Sequence, residues 1–163
     1  MTFTQSQNYP VNQAVESFRG LDVDSQLALF WFIYKEMGSS VTPAAPAAST
    51  VSPDIAEGLF NQVKDMSHEE QLQIQRDLIT GANTQTTRQY GSLSDTTKLL
   101  FWYLLAQGMD NGTVIPMPEN YQLSGAAEQL LNVIKQMQFE EQITLFRDYV
   151  SPMGAEPKSG AGI

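Results

Sequence analysis

Asp24-Ser-Gln-Leu-Ala-Leu-Phe-Trp-Phe-Ile-Tyr34 and Asp95-Thr-Thr-Lys-Leu-Leu-Phe-Trp-Tyr-Leu-Leu105 are two versions of one stretch, and the distance between them decides how the chain is read. Shifted by 71 residues, positions 24–78 lie over 95–149 without a gap, with 16 identities in 55 aligned positions. Chance gives about a fifth as many, and self-similarity at a fixed period marks a repeated structural unit. Leu29-Phe30-Trp31 falls on Leu100-Phe101-Trp102, Glu69-Glu70-Gln71 on Glu140-Glu141-Gln142, and Arg76-Asp77 on Arg147-Asp148.

Each half reads as the same helical unit. Leu27, Phe30, Trp31 and Tyr34 recur at the spacing of one helical face, while Leu29, Phe32 and Ile33 fill the others, so a helix over about 24–37 is buried nearly all round. Its copy runs over about 95–109. Pro43 and Pro46, and in the second half Pro116 and Pro118, forbid continuation through the segments that follow. Ser52 with Pro53 is an N-cap and first-turn pairing, and Ser67-His-Glu-Glu70 is a capping box. Further helices are expected at about 11–20, about 84–90 and from Gln138 to about Val150. No alternating β-branched runs are bounded by hairpin dipeptides. The expectation is an all-α single domain over 1–163, built as two related bundles from repeat halves 24–78 and 95–149, with a flexible tail over 151–163.

Composition narrows the function. At 163 residues the chain can bury roughly two-thirds of its unfolded surface. A net charge of −9 and no basic stripe oppose binding to nucleic acid or anionic membranes. No apolar run reaches transmembrane length and no signal-peptide pattern opens the chain, so a cytoplasmic location is expected. Cysteine is absent and His68 is the single histidine, which removes thiolate chemistry and leaves no metal site. Glu69/Glu70 and Glu140/Glu141 point about 100° apart on a helix and suit the positive end of its dipole. No phosphate loop, nucleophile elbow or zinc motif is present. An enzyme is not expected.

The aromatic residues remain. Trp31 and Trp102 are repeat mates, Tyr34 and Tyr103 sit beside them, and Met109 and Met117 lie at a helix end and in a proline loop. Core packing accounts for each of these taken singly. Taken together, two half-bundles about a pseudo-two-fold axis bring aromatic rings to a common seam, where a long, thin, apolar molecule fits.

Several stretches of the chain resemble a known family. Ser25-Gln-Leu-Ala-Leu-Phe-Trp-Phe-Ile-Tyr-Lys-Glu-Met-Gly38, Ala44-Ala-Pro-Ala47, Leu99-Leu-Phe-Trp-Tyr103, Pro116-Met-Pro118, Tyr121-Gln-Leu-Ser124 and Gln142-Ile-Thr-Leu-Phe-Arg147 resemble the N-terminal helical domain of the orange carotenoid protein of cyanobacteria. The match spans about residues 15–153, and the chain stops where that family's linker and C-terminal domain would begin, as in its stand-alone helical relatives. The resemblance implies two pseudo-symmetric, interleaved four-helix subdomains holding a ketocarotenoid (canthaxanthin, echinenone or hydroxyechinenone) between them, together with a chloride ion whose ligands the sequence does not mark. Positions matching the pigment tunnel are Leu27, Phe30, Trp31 and Tyr34 in the first repeat helix, and Pro43, Ala47 and Val51 in the connection after it. In the second half they are Leu99, Trp102, Tyr103, Ala106 and Met109, then Met117, Tyr121, Ile143 and Arg147. Pro43, Val51 and Met117 stand where relatives carry other apolar residues, which bears on tunnel shape and pigment preference.

The function so implied is photoprotection: a soluble carotenoid-binding protein, a monomer or weak homodimer, quenching singlet oxygen or excess excitation. Two alternatives accompany it. One is docking on the phycobilisome, at the thylakoid, through Arg147. The other is carriage of the pigment to and from a homologue of the C-terminal domain. Arg147 and its repeat mate Arg76 also suit a structural ion pair in each half, with Asp77 or Asp148 as partner.

Overall fold

The computed structural model describes residues 2–41, 53–118 and 120–156, with side chains over 11–36, 55–118 and 120–156. Among the described residues there are eight α-helices and no strand: α1 (Thr2–Gly20), α2 (Val23–Val41), α3 (Pro53–Lys64), α4 (His68–Thr80), α5 (Gln85–Gly91), α6 (Asp95–Asn111), α7 (Gly125–Gln136) and α8 (Phe139–Val150).

Local signals explain most boundaries. The Ser67 hydroxyl accepts from the Glu70 N–H at 3.1 Å while Glu70 accepts from the Ser67 N–H at 3.1 Å, closing the capping box that starts α4. Thr84, Ser94 and Ser124 cap α5, α6 and α7 in the same way, each accepting from an N–H three residues on. Gly81 and Gly112, at φ +78° and +90°, end α4 and α6 in the left-handed conformation. Two boundaries differ from expectation. α1 begins at Thr2 rather than near residue 11, because Pro10 removes one bond from the ladder without ending the helix. α2 likewise runs past Gly38 to Val41.

The packing is interleaved. α1 and α2 pack on α7 and α8, while α6 packs on α3, which α4 and α5 flank, so each four-helix group draws on distant parts of the chain. The 71-residue shift carries α2, α3 and α4 onto α6, α7 and α8, and the α2–α7 contact of one group corresponds to the α6–α3 contact of the other. Contacts of α2 with α4 and α6, and of α6 with α8, join the groups. Phe18, Leu29, Leu78, Tyr90, Phe101, Leu145, Phe146 and Tyr149 form the innermost core. No helix among the described residues is long and apolar enough to cross a membrane.

The segment after α8 is not loose at its start. Met153 is buried, the Gly154 N–H donates to the Leu78 carbonyl at 2.9 Å, and the Ala155 N–H donates to the Thr87 carbonyl at 3.1 Å. These contacts fasten Ser151–Glu156 across α4 and α5; residues 157–163 lie outside the described residues.

Candidate functional site

Where the two groups meet, α2 and α6 each turn one face toward a single apolar cleft. α2 supplies Leu27, Phe30, Trp31 and Tyr34 with Ile33; α6 supplies Leu99, Trp102, Tyr103 and Ala106 with Leu105 and Met109. Both main sets follow the i, i+3, i+4, i+7 spacing that places residues on one side of a helix. Gln75 from α4 and Phe146 from α8 complete the lining.

The two walls differ in how firmly they are held. Phe30 stacks on Trp102 with ring centroids 5.4 Å apart and meets Phe146 at 6.2 Å and Tyr149 at 5.6 Å. The Trp102 indole N–H donates to the Tyr90 hydroxyl at 3.0 Å, which itself donates to the Val150 carbonyl at 2.8 Å. This wall is fixed by packing and hydrogen bonds at once. Elsewhere in the lining, Trp31 stacks on Tyr34 at 5.7 Å, and Tyr34 meets Tyr103 edge-on at 5.7 Å. These three rings are only half-buried, and Lys35 lies over Trp31 at 5.6 Å. Burial, then the neighbouring Tyr103 and Asp110, raise the Tyr34 pKa above its ordinary value. The unfilled space between the walls is about 40 Å³, so the rings largely close on one another, and a long ligand must part them.

The family profile described as "Orange carotenoid protein, N-terminal" matches residues 4–156. The chain belongs to that family. An orange carotenoid-binding domain-containing protein of Nostoc sp. (strain PCC 7120) is 46% identical over 159 residues, covering 95% of this chain and 92% of that protein. The orange carotenoid-binding protein of Limnospira maxima is 39% identical over 144 residues, and the matched part is 88% of this chain but 45% of that relative. Among solved structures, the Red Carotenoid Protein of Anabaena (Nostoc) sp. PCC 7120 binding canthaxanthin superposes with a TM-score of 0.81 at 64% identity, over 90% of this chain and 99% of that one. The Orange Carotenoid Protein of the same organism, also binding canthaxanthin, superposes at 0.79 with 39% identity, over 90% of this chain and 47% of that one.

Against the tunnel positions that the orange carotenoid protein family implies, the structure brings together Leu27, Phe30, Trp31, Tyr34, Leu99, Trp102, Tyr103, Ala106 and Met109. Pro43, Ala47 and Val51 lie outside the described residues. Met117 and Tyr121 are half-buried in the loop before α7, and Ile143 is 6% exposed in the core; neither they nor Arg147 line the cleft. The sequence reading missed Ile33, Leu105, Gln75 and Phe146. The last two are repeat mates on α4 and α8, where Gln71/Ile74/Gln75/Leu78 and Gln142/Leu145/Phe146/Tyr149 form equivalent buried faces.

The ion pair expected in each half has a different form. Arg76 binds Asp24, not Asp77, through two bonds of 2.9 and 3.1 Å. Asp95, the mate of Asp24, instead accepts from the Ser151 hydroxyl at 2.7 Å, and Arg147 pairs with neither Asp148 nor Asp95: its buried Nε has no partner among the described residues. His68 is exposed in the first turn of α4, and the described residues hold no cluster of three or more metal-ligating side chains.

Proposed function

We propose that this chain binds a carotenoid in the aromatic cleft between α2 and α6 and serves in photoprotection. One observation carries the reading: two helices from different four-helix groups present Trp31, Tyr34, Trp102 and Tyr103 to a single apolar seam. The fit is chemical as well as geometric. Flat rings match a flat conjugated chain, and Ala106 and Met109 supply small and adaptable surface. Entry requires parting Trp31 from Tyr34 and Tyr34 from Tyr103, at about 1 kcal/mol for each ring pair. Burying roughly 300 Å² of apolar ligand surface returns about 7 kcal/mol, so insertion wins over ring closure.

When bound, a ketocarotenoid supplies a conjugated polyene whose low-lying excited states accept energy from singlet oxygen or an excited antenna. The protein's part is to hold, orient and shield. The Phe30–Trp102–Tyr90 wall gives a surface of fixed shape, and the half-buried Trp31, Tyr34 and Tyr103 rings close over the occupant. Protein purified from a ketocarotenoid-producing host is expected to be orange to red. Colourless protein that takes up no canthaxanthin on mixing overturns this reading.

A second activity, docking on the phycobilisome, is favoured by Arg147, whose Nε is unpaired while its mate Arg76 is tied to Asp24. The Nε itself is buried, but the half-buried side chain has no carboxylate partner among the described residues, and on a chain of net charge −9 such a local cation is needed for docking on an acidic antenna. Added holoprotein should lower phycobilisome fluorescence, and Arg147→Leu should abolish the effect while leaving the pigment spectrum unchanged. Quenching that survives the substitution removes Arg147 from the docking surface.

A further inference from the structure

Gln75 does not fit the cleft it lines. It is 4% exposed, its amide nitrogen is buried with no hydrogen-bond partner among the described residues, and no other described side chain in the lining carries an amide or a charge. Two polar groups of the lining are already used: the Trp102 N–H donates to Tyr90, and the Tyr103 hydroxyl accepts from Gln107 at 3.3 Å. One turn earlier on α4, Gln71 shows what a buried glutamine ordinarily does. Its amide nitrogen donates to the Val63 and Thr113 carbonyls at 3.2 and 3.1 Å, and its oxygen accepts from the Ile115 N–H at 2.8 Å.

An unpaired amide in apolar surroundings costs about 1–3 kcal/mol. The position does not require one, since its repeat mate Phe146 lines the same cleft with a hydrocarbon ring. We propose that the Gln75 amide hydrogen-bonds an oxygen atom on the bound pigment. The nitrogen donates to a ring carbonyl, or, with the amide turned over, the oxygen accepts from a ring hydroxyl. Gln75 then sets two properties together: preference for oxygenated carotenoids over hydrocarbon carotenes, and the depth to which the pigment slides along the cleft. A site built to satisfy a polar group rejects an analogue lacking its partner far more strongly than an apolar pocket can.

This inference rests on the reading that the cleft holds a carotenoid, and the test separates the two. Pigment-free protein and its Gln75→Met variant, which keeps the volume of the side chain, are each titrated with canthaxanthin and with β-carotene. The carbonyl stretching band of bound canthaxanthin is recorded by vibrational spectroscopy. The wild type should bind canthaxanthin about tenfold more tightly than β-carotene. Gln75→Met should lose that margin by weakening canthaxanthin alone, and its carbonyl band should move to the higher frequency of a free ketone. An unchanged margin and an unchanged band in the variant overturn the role of Gln75 while leaving pigment binding intact. Wild-type protein that takes up neither pigment overturns the underlying reading. Should Gln75→Met fail to fold, the wild-type band decides: at the frequency of canthaxanthin in an aprotic solvent the proposal fails, and below it the proposal stands.

Discussion

Tyr90 connects three parts of the molecule with one hydroxyl. It accepts from Trp102 and donates to the Val150 carbonyl at the end of α8, with its ring fully buried. Tyr90→Phe keeps the ring and removes both bonds, leaving the Trp102 indole N–H without a partner in the core and the Val150 carbonyl with only the Met153 N–H at 3.3 Å. The expected cost is about 2 kcal/mol, read as a lower urea midpoint at unchanged slope; a loss under about 0.5 kcal/mol means that the two groups find other partners. Tyr149 is built alike, donating to Gln26 at 2.8 Å and stacked on Phe18 at 3.9 Å. Burial holds both phenols protonated far beyond their ordinary pKa of 10.0. Since the folded values are raised, this contribution to stability is complete below the unfolded pKa and declines as pH rises past it. Tyrosinate absorbance from these two rings should therefore appear together with loss of helical circular dichroism above about pH 10. Ionisation of all six tyrosines with the helices intact contradicts that coupling. Neither tyrosine's role was legible in the sequence, because the repeat pairs Tyr149 with Leu78 and gives no sign of a hydroxyl seeking a distant carbonyl. The cleft rings on α2 and α6 were legible, because one face at i, i+3, i+4, i+7 announces itself. Gln75 was not, although a polar residue on the buried face of α4 was a readable sign.

The helices follow their local signals closely, and the exceptions sit where tertiary contacts decide. Ser67, Thr84, Ser94 and Ser124 mark helix starts because their hydroxyls act on N–H groups only three residues away. The strap after α8 carries no comparable mark: its proline and glycines read as loose chain, yet backbone bonds to Leu78 and Thr87 hold it. Gly154 shows how tightly. Its φ is +82°, and an added Cβ would lie 2.8 Å from the Thr87 carbonyl oxygen and 2.8 Å from the Tyr90 ring. Gly112 has a similar φ of +90° with nothing near its missing Cβ. The pair separates conformational strain from crowding. Gly112→Ala should cost about 1 kcal/mol for the left-handed backbone alone. Gly154→Ala should cost about 1–3 kcal/mol more, because backbone and a buried ring cannot give way. Equal losses in thermal melts would show that the strap lifts away freely and that its contacts contribute little.

At the scale of the molecule, the interleaving of the two groups separates this architecture from a tandem pair of bundles. The 71-residue repeat was legible in sequence, but a repeat fits two halves that each fold alone as well as two halves that exchange helices, since both bury the same apolar faces. The structure has α1 and α2 packed on α7 and α8, and α3 on α6, so the most extensive helix–helix contacts, α3 with α6 and α1 with α8, join residues far apart in the chain. A cut between α5 and α6 therefore leaves neither fragment with a complete core. Fragment 1–94 keeps α3, α4 and α5 without α6, and α1 and α2 without α7 and α8; fragment 95–163 keeps α6 without α3. Helices stripped of their tertiary partners are marginal in water, so each fragment alone should show weak helical dichroism and no cooperative melt. Mixed in equal amounts, the two should recover both. The cleft follows the same logic, because Trp31 and Trp102 lie on different fragments: only the mixture should take up canthaxanthin, and the pigment should tighten the association of the fragments by its own binding free energy. A fragment 1–94 that melts cooperatively by itself would place its core within the first half, and the seam between α2 and α6 would then be a contact between finished domains rather than the centre of a single one.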